Sequence, residues 1–355
     1  LLTLAKSSFT NVSVAAIGSL SKLGDASALP LLVELAVSGE NDISKAAQSA
    51  LVAFPSSEAD AACADLMTAK GAAHRVVGVD VMNRRGMGGA MPAVLKAAAG
   101  DPDENVRIAS LNLLREQGKL DNLPMVVEIL LKNRSAAEAQ AVEKAMASIC
   151  GRQTDMGACA DRLVPGLSKV QPAQKCALLR ILRSVGDVKS LQAVRAAMTD
   201  PVAEVQDAAT RLICDWNTAD AAPDMLALAK NSGNNTYKLL GLRGYIRVAG
   251  GKDVTGDRRP AMCKEAAGLI ERDDERKILL GTLGVADDAE SLRMAAGYLD
   301  NAATRDEACV AAVAIAERLP KDKAADIIPV MDKVLKITQN GDLVSRTKAV
   351  LEKSK

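Results

Sequence analysis

Aromatic side chains are nearly missing from this chain: two Phe, three Tyr and one Trp make up 2% of 355 residues, although 48% are hydrophobic. A core with so few rings is built from Ala, Leu, Val, Ile and Met, which favours helices packed closely through small side chains. Histidine is scarcer still. His74 is the single imidazole, so any Ser-His-Asp or Cys-His mechanism must use it. No acid or nucleophile accompanies it at a diagnostic spacing, and its position at the start of a helix reads as terminal packing. Net charge is lacking too, with 45 Lys and Arg against 44 Asp and Glu. The molecule as a whole therefore has no bias toward nucleic acid, anionic lipid or acidic substrate, and such a partner would need a local patch. No apolar run approaches the roughly 20 residues of a membrane span, and no charged-then-apolar signal segment stands at the start. The chain opens on Leu1 and not Met, so it is read as a fragment of a longer protein.

Seven cysteines include no C-x-x-C, which argues against zinc or haem; no metal or cofactor is expected. In "CGRQTDMGAC", Cys150 should end one helix and Cys159 begin the next. That pair is either a disulfide between antiparallel neighbours or two unpaired core thiols. Phosphate loops fail on inspection. "VAGGKDVTGD" (248–257) has Ile246 where the first glycine is required, and "RRGMGG" (84–89) follows a helix and not a strand. The pairs Asp273-Asp274 and Asp287-Asp288 fall in turns and read as solvated helix caps before they read as acid/base dyads.

What the chain does have is a period. "AGDPDENVRIASLNLLREQG" (99–118) has a relative in "MTDPVAEVQDAATRLICDWN" (198–217), and the two Asp-Pro steps stand 99 residues apart, three times 33. Helix-closing positions fall at Gly24, Phe54-Pro55, Gly86, Gly118, Gly151, Gly186, Asn217, Gly250 and Gly284. Pro30, Pro92, Pro124 and Pro223 each come six residues after such an end, in the first turn of a following helix where proline is tolerated. Each unit reads as helix A, turn, helix B, with Ser27, Asp42 and Ser135 as N-caps and Gly as the left-handed C-cap. No strand is expected. Two helices of about 12 residues cannot enclose a core alone, so the hairpins must stack. The expectation is an all-α fold, an α-α superhelix or solenoid of about ten hairpins forming one repeat domain over 1–355. With helices packed about 8–10 Å apart, the array would be near 100 Å long and curved.

Period, A/B pairing and the "DPDENVRIAS" phrase together resemble the HEAT repeat family, particularly its short bacterial type. The resemblance implies a ladder between adjacent repeats made by the turn Asp and the Arg six residues on, here Asp101 and Arg107, and as an exposed pair it would contribute only ~0–1 kcal/mol. The pattern is kept in one repeat: Gln206 follows Asp200, while Arg75 and Lys175 follow Ala69 and Lys169. The stretch 211–250, "RLICDWNTADAAPDMLALAKNSGNNTYKLLGLRGYIRVAG", is similar to a phrase in exported bacterial HEAT proteins. Some of those also carry a concanavalin-type β-sandwich related to sugar-processing domains, and short bacterial HEAT repeats also resemble those of phycobilin lyases. The resemblance thus implies a non-catalytic scaffold or adaptor that binds a protein or peptide on its concave face, in an exported, periplasmic setting before a cytoplasmic one. The alternatives are the repeat arm of a larger exported sugar-active enzyme, or a phycobilin-lyase-like ligand-handling protein.

The candidate surface is 236–259, "TYKLLGLRGYIRVAGGKDVTGDRR", where six basic residues face Asp253 and Asp257. Trp216, Tyr237, Arg243, Tyr245, Arg247, Arg258 and Arg259 are the expected partner-binding residues, since Trp, Tyr and Arg most often dominate interface energetics. Arg243 and Arg247 share a helix face, and the loop after Gly250 is longer than its counterparts. The other reading is that the rings fill core gaps and the arginines form a solvated face, or complement the acidic stretch 287–307. Arg115, Arg183 and Arg247 would form a basic row inside the curve, interrupted at Asn83, Ser148 and Cys214. Nucleic acid needs a longer stripe and more stacking rings than this.

Overall fold

The computed structural model describes residues 1–38, 41–132 and 135–354. Among these are twenty-two α-helices and no strand. The chain divides into two compact units, Leu1–Ala193 and Val194–Lys355. The first holds α1 (Leu2–Ala5), α2 (Thr10–Leu23), α3 (Leu29–Ala36), α4 (Asp42–Ala53), α5 (Ser57–Leu66) and α6 (Ala72–Arg85). It continues through α7 (Met91–Gly100), α8 (Glu104–Gln117), α9 (Leu123–Lys132), α10 (Ala136–Gly151), α11 (Met156–Leu163) and α12 (Pro172–Val185). The division falls inside α13 (Val188–Ala197). The second unit holds α14 (Ala203–Cys214), α15 (Ala222–Asn231), α16 (Asn235–Ala249), α17 (Arg258–Ala267) and α18 (Asp273–Leu283), then α19 (Ala289–Ala296), α20 (Arg305–Arg318), α21 (Ala324–Ile337) and α22 (Gly341–Ser354).

Within each unit consecutive helices pair as hairpins, and even-numbered helices pack on even-numbered ones, as α6 on α8 and α16 on α18. This is the α-α solenoid that the period predicts. Its construction is visible in "DPDENV". Pro102 cannot continue α7, and Asp101 accepts from the Asp103 amide at 2.9 Å to set the turn. Asp103 then caps α8 by accepting from the Asn105 amide at 2.8 Å. Val106, Leu111, Leu113 and Leu114 are buried on the core side of α8. Pro30, Pro92 and Pro223 stand in the first turns of α3, α7 and α15, each preceded by one 3₁₀ turn.

Several local expectations change. Ser135 caps α10 as its position suggests, but α4 is capped by Asn41, not Asp42, and Asp25 caps the turn that contains Ser27. Asn and Asp one or two residues upstream reach the free amides as well as the nominated residues would. Left-handed caps occur at Gly24, Gly86 and Gly186, whereas Gly118, Gly250 and Gly284 close their helices with negative φ. No disulfide joins Cys150 to Cys159; both thiols are buried in the core.

The ladder also runs in a different register. Asp101 does not receive the Arg107 side chain on its carboxylate. It is gripped by Arg75 of the preceding repeat, with Nε at 2.7 Å and Nη2 at 2.8 Å. Arg107 instead holds the Asp101 and Pro102 carbonyls at 2.7 and 3.0 Å and pairs forward with Glu138. Each arginine thus fastens its own turn to an acid of the next hairpin. The Arg107 and Glu138 side chains are only 8% and 5% exposed, so the energetics of an exposed pair do not apply.

Candidate protein-binding groove

Helix α16 approaches its neighbours closely because two glycines let it. A Cβ on Gly244 would stand 2.3 Å from the Cys214 carbonyl oxygen at the end of α14, and one on Gly241 would stand 2.6 Å from the Met225 carbonyl of α15. On the next even-numbered helix, Gly281 of α18 faces open space, with nothing within 4 Å of a Cβ placed there. The lost side-chain volume over α14, α16 and α18 leaves a groove of about 610 Å³. Leu240, Ile278 and Val285 supply its apolar surface, and Arg211, Arg243, Arg247 and Asp215 its charge. Ile278 and Val285 are 37% and 48% exposed, large aliphatics left on a solvent-facing stripe with no protein cover.

The three arginines are not equivalent. Arg211 is neutralised by Asp207, one turn earlier on α14, at 2.9 Å. Arg243 donates to Glu275 Oε1 from Nε and Nη2 at 2.9 and 2.7 Å, and Arg272 binds the same carboxylate at 3.1 Å. Burial raises the Glu275 carboxyl pKa, but the two guanidiniums outweigh it and hold it below the ordinary glutamate value. Arg247 has no carboxylate among the described residues; its Nη2 donates to the Cys214 and Trp216 carbonyls at 3.1 and 2.9 Å. These are terminal carbonyls that α14 cannot satisfy itself. The same grip recurs: Arg85 on Val52 and Phe54 at 3.0 Å each, Arg152 on Gly118 at 2.7 Å, and Arg318 on Gly284 at 2.6 Å.

Of the seven residues that the sequence nominates, the structure brings Arg243 and Arg247 into the groove. Trp216 and Tyr245 are 1% and 4% exposed, so neither ring can touch a partner. Trp216 is core, as a lone large ring in a small-residue protein tends to be, and the Tyr245 hydroxyl donates to Glu265 at 2.9 Å. Burial, then that carboxylate, push the Tyr245 phenol pKa up. Tyr237 is half-buried and donates to Asp207 at 2.7 Å. Arg259 closes the long loop by binding the Ala249, Gly251 and Val254 carbonyls at 3.1, 3.2 and 2.8 Å. Arg258 reaches Ala219 O at 3.5 Å, and Asp253 accepts from the Ala219 amide at 2.7 Å. The loop is tied down and is no free arm. The proposed basic row is likewise broken by pairing, since Arg115 binds Glu116 at 2.7 Å.

Sequence reasoning missed Arg211, Ile278, Gly281 and Val285. A signal was present: 278 and 281 stand at helical spacing on a face of α18 other than the buried one carrying Leu279 and Leu283, and Val285 follows in the turn just beyond the helix. A second depression of about 680 Å³ lies near the α16 N-terminus beside Leu239, Leu269 and Ile270. Of the charges at its rim, Lys230 pairs with Glu265 and Arg272 with Glu275, and Lys238 and Glu271 also line it.

Comparison with known proteins places the fold. No family model matches the sequence, and no curated protein is similar to it by sequence. Among solved structures, Kap121p superposes with a TM-score of 0.60 at 13% identity, over 100% of this chain and 45% of its own. Kap95p, in a structure concerned with RanGDP, gives 0.57 at 12% identity, over 99% of this chain and 55% of its own. The karyopherin Kap121p bound to the extreme C-terminus of the protein phosphatase Cdc14p gives 0.58 at 12% identity, over 100% and 45%. The chain spans about half the length of these solved chains. At such identities the likeness concerns architecture, and on it the fold of this chain is a HEAT-like α-α solenoid.

Proposed function

We propose that this chain is a non-catalytic adaptor of HEAT-like repeats, related to the short bacterial type, and that it binds a protein segment in the groove over α14, α16 and α18. The observation that carries this is the coincidence of exposed Ile278 and Val285 with a glycine-made trough and an arginine that has no acid partner. Contiguous exposed aliphatics beside a charged anchor are a common signature of a protein interaction surface. The architecture suits the role, since the similarly folded Kap121p is seen bound to a C-terminal protein segment.

The test is capture from an extract of the source organism by the wild-type chain and by Gly281→Leu, in parallel. The leucine fills the trough without meeting any neighbour at its Cβ. A protein retained by wild type and lost by Gly281→Leu supports the reading. Equal capture by both removes the groove from consideration.

A further inference from the structure

The groove's charge state says more about its occupant than its shape does. Arg211 is matched by Asp207, and Arg243 shares the Glu275 carboxylate with Arg272. Arg247 alone of the three lining arginines pairs with no carboxylate among the described residues, although Asp215 also lines the groove, and it is already held in position: Nη2 is fixed by two main-chain carbonyls while Nε and Nη1 have no partner among the described residues. Its counterpart Arg85 shows the contrast, with Nε donating to Asp60 at 2.8 Å. A guanidinium held in this way offers Nε–H and Nη1–H singly to a carboxylate, since both bidentate faces include the engaged Nη2, and loses little rotamer freedom on making that charge-assisted hydrogen bond. Ile278 and Val285 require aliphatic groups near that carboxylate, which a bare phosphate does not supply, and the groove lacks an exposed ring on which a base could stack.

Resting on the docking surface proposed above, we infer that the occupant is an extended segment of a partner protein in which an Asp or Glu side chain meets Arg247 and flanking aliphatic side chains cover Ile278 and Val285. Crossing from α14 to α18 spans two interhelical steps of about 8–10 Å each, which five or six extended residues cover at about 3.3 Å apiece. The groove is open along its length, so an internal segment fits as well as a chain end.

The experiment is panning of a random dodecapeptide phage library on the whole chain, with depletion on Gly281→Leu. The expected outcome is recovery of peptides that share one acidic residue flanked by aliphatic ones. The commonest, synthesised with acetylated and amidated ends, should lose at least fivefold in affinity when its acid becomes the amide. Arg247→Gln should lose a similar factor, and combining the two changes should lose little more. A loss of less than fivefold on amidation of the acid, or recovery of peptides without an acidic residue, overturns the inference while leaving the docking surface in place. Failure to recover any peptide that distinguishes wild type from Gly281→Leu overturns both. Because Arg247→Gln also releases two carbonyls, its melting temperature is measured alongside; if that variant does not fold, the peptide-side substitution and Gly281→Leu decide the outcome.

Discussion

Gly244 and Gly281 lie on one groove and should respond to the same substitution in opposite directions. Alanine at an interior helical position is favoured over glycine by about 1 kcal/mol. At Gly281 nothing opposes that gain, since a Cβ there meets no atom within 4 Å; as the position is close to the end of α18, about 0.5–1 kcal/mol is expected. At Gly244 the Cβ would stand 2.3 Å from the Cys214 carbonyl oxygen and 3.2 Å from the Met225 sulfur. Ordinary contact needs roughly 1 Å more, and it must come from separating α16 and α14, because a backbone carbonyl cannot rotate away. Overpacking of this kind costs about 1–3 kcal/mol or more, and with a backbone carbonyl as the obstacle the upper end applies, so after the propensity gain a net loss of about 2 kcal/mol remains. For a unit of this size each kcal/mol moves the melting temperature by about 2–4 °C. Thermal unfolding followed by circular dichroism should therefore show Gly281→Ala melting slightly above wild type and Gly244→Ala several degrees below it. If Gly244→Ala melts at or above wild type, the close approach of α14 and α16 is wrong, and with it the account of how the groove is made.

Three further outcomes follow from buried charge and buried thiols. Arg107→Met removes the guanidinium from buried Glu138 and two carbonyls and should lower urea stability by about 3 kcal/mol or more. Lys6→Met, which breaks an exposed pair with Glu34, should lower it by about 0–1 kcal/mol; equal effects would refute the burial argument. Glu275 titrates below its ordinary value of 4.5 in the folded chain, so its contribution is complete above that pH and is lost as pH falls through the lower, folded value. Glu275→Gln should thus be about 1–3 kcal/mol less stable than wild type at pH 7 and converge with it as pH falls through that lower value; a constant difference across the range would contradict the pairing. Burial pushes the Cys63, Cys214 and Cys263 thiols up to about 11, 11 and 12. A thiol reagent at pH 8 should therefore react with the seven cysteines only on unfolding, and fast stoichiometric labelling of the native chain would show a thiol at the surface.

The repeat architecture was legible because proline, glycine and acidic caps punctuate it at a fixed interval, and each has a local steric or hydrogen-bonding cause. Pro92 and Asp103 announce the first turns of α7 and α8 without any knowledge of what packs on them. Partner choice in the ladder was not legible. Arg107 and Asp101 are six residues apart, but which acid each arginine grips depends on the offset between hairpins, and that places Asp101 under Arg75 and Glu138 under Arg107. The site was half legible for a related reason. Composition singled out the neighbourhood of Arg247, yet the rings that drew attention to it were too large to be left outside a core of small residues. The groove is made by what is absent at Gly281, which only the neighbouring helices turn into a feature.

The arginine grips on carbonyls give the array a direction. Arg85, Arg152, Arg247 and Arg318 each close the helix end of the hairpin before their own, so within each unit these helix ends depend on their successor. Cutting the chain just after Phe54, Gly118, Trp216 or Ala286 would therefore strip the lid from the last hairpin retained, while the fragment downstream of the cut keeps the grips on its own helix ends. Unravelling should start from the C-terminal side of such a break and travel toward lower residue numbers, one hairpin at a time.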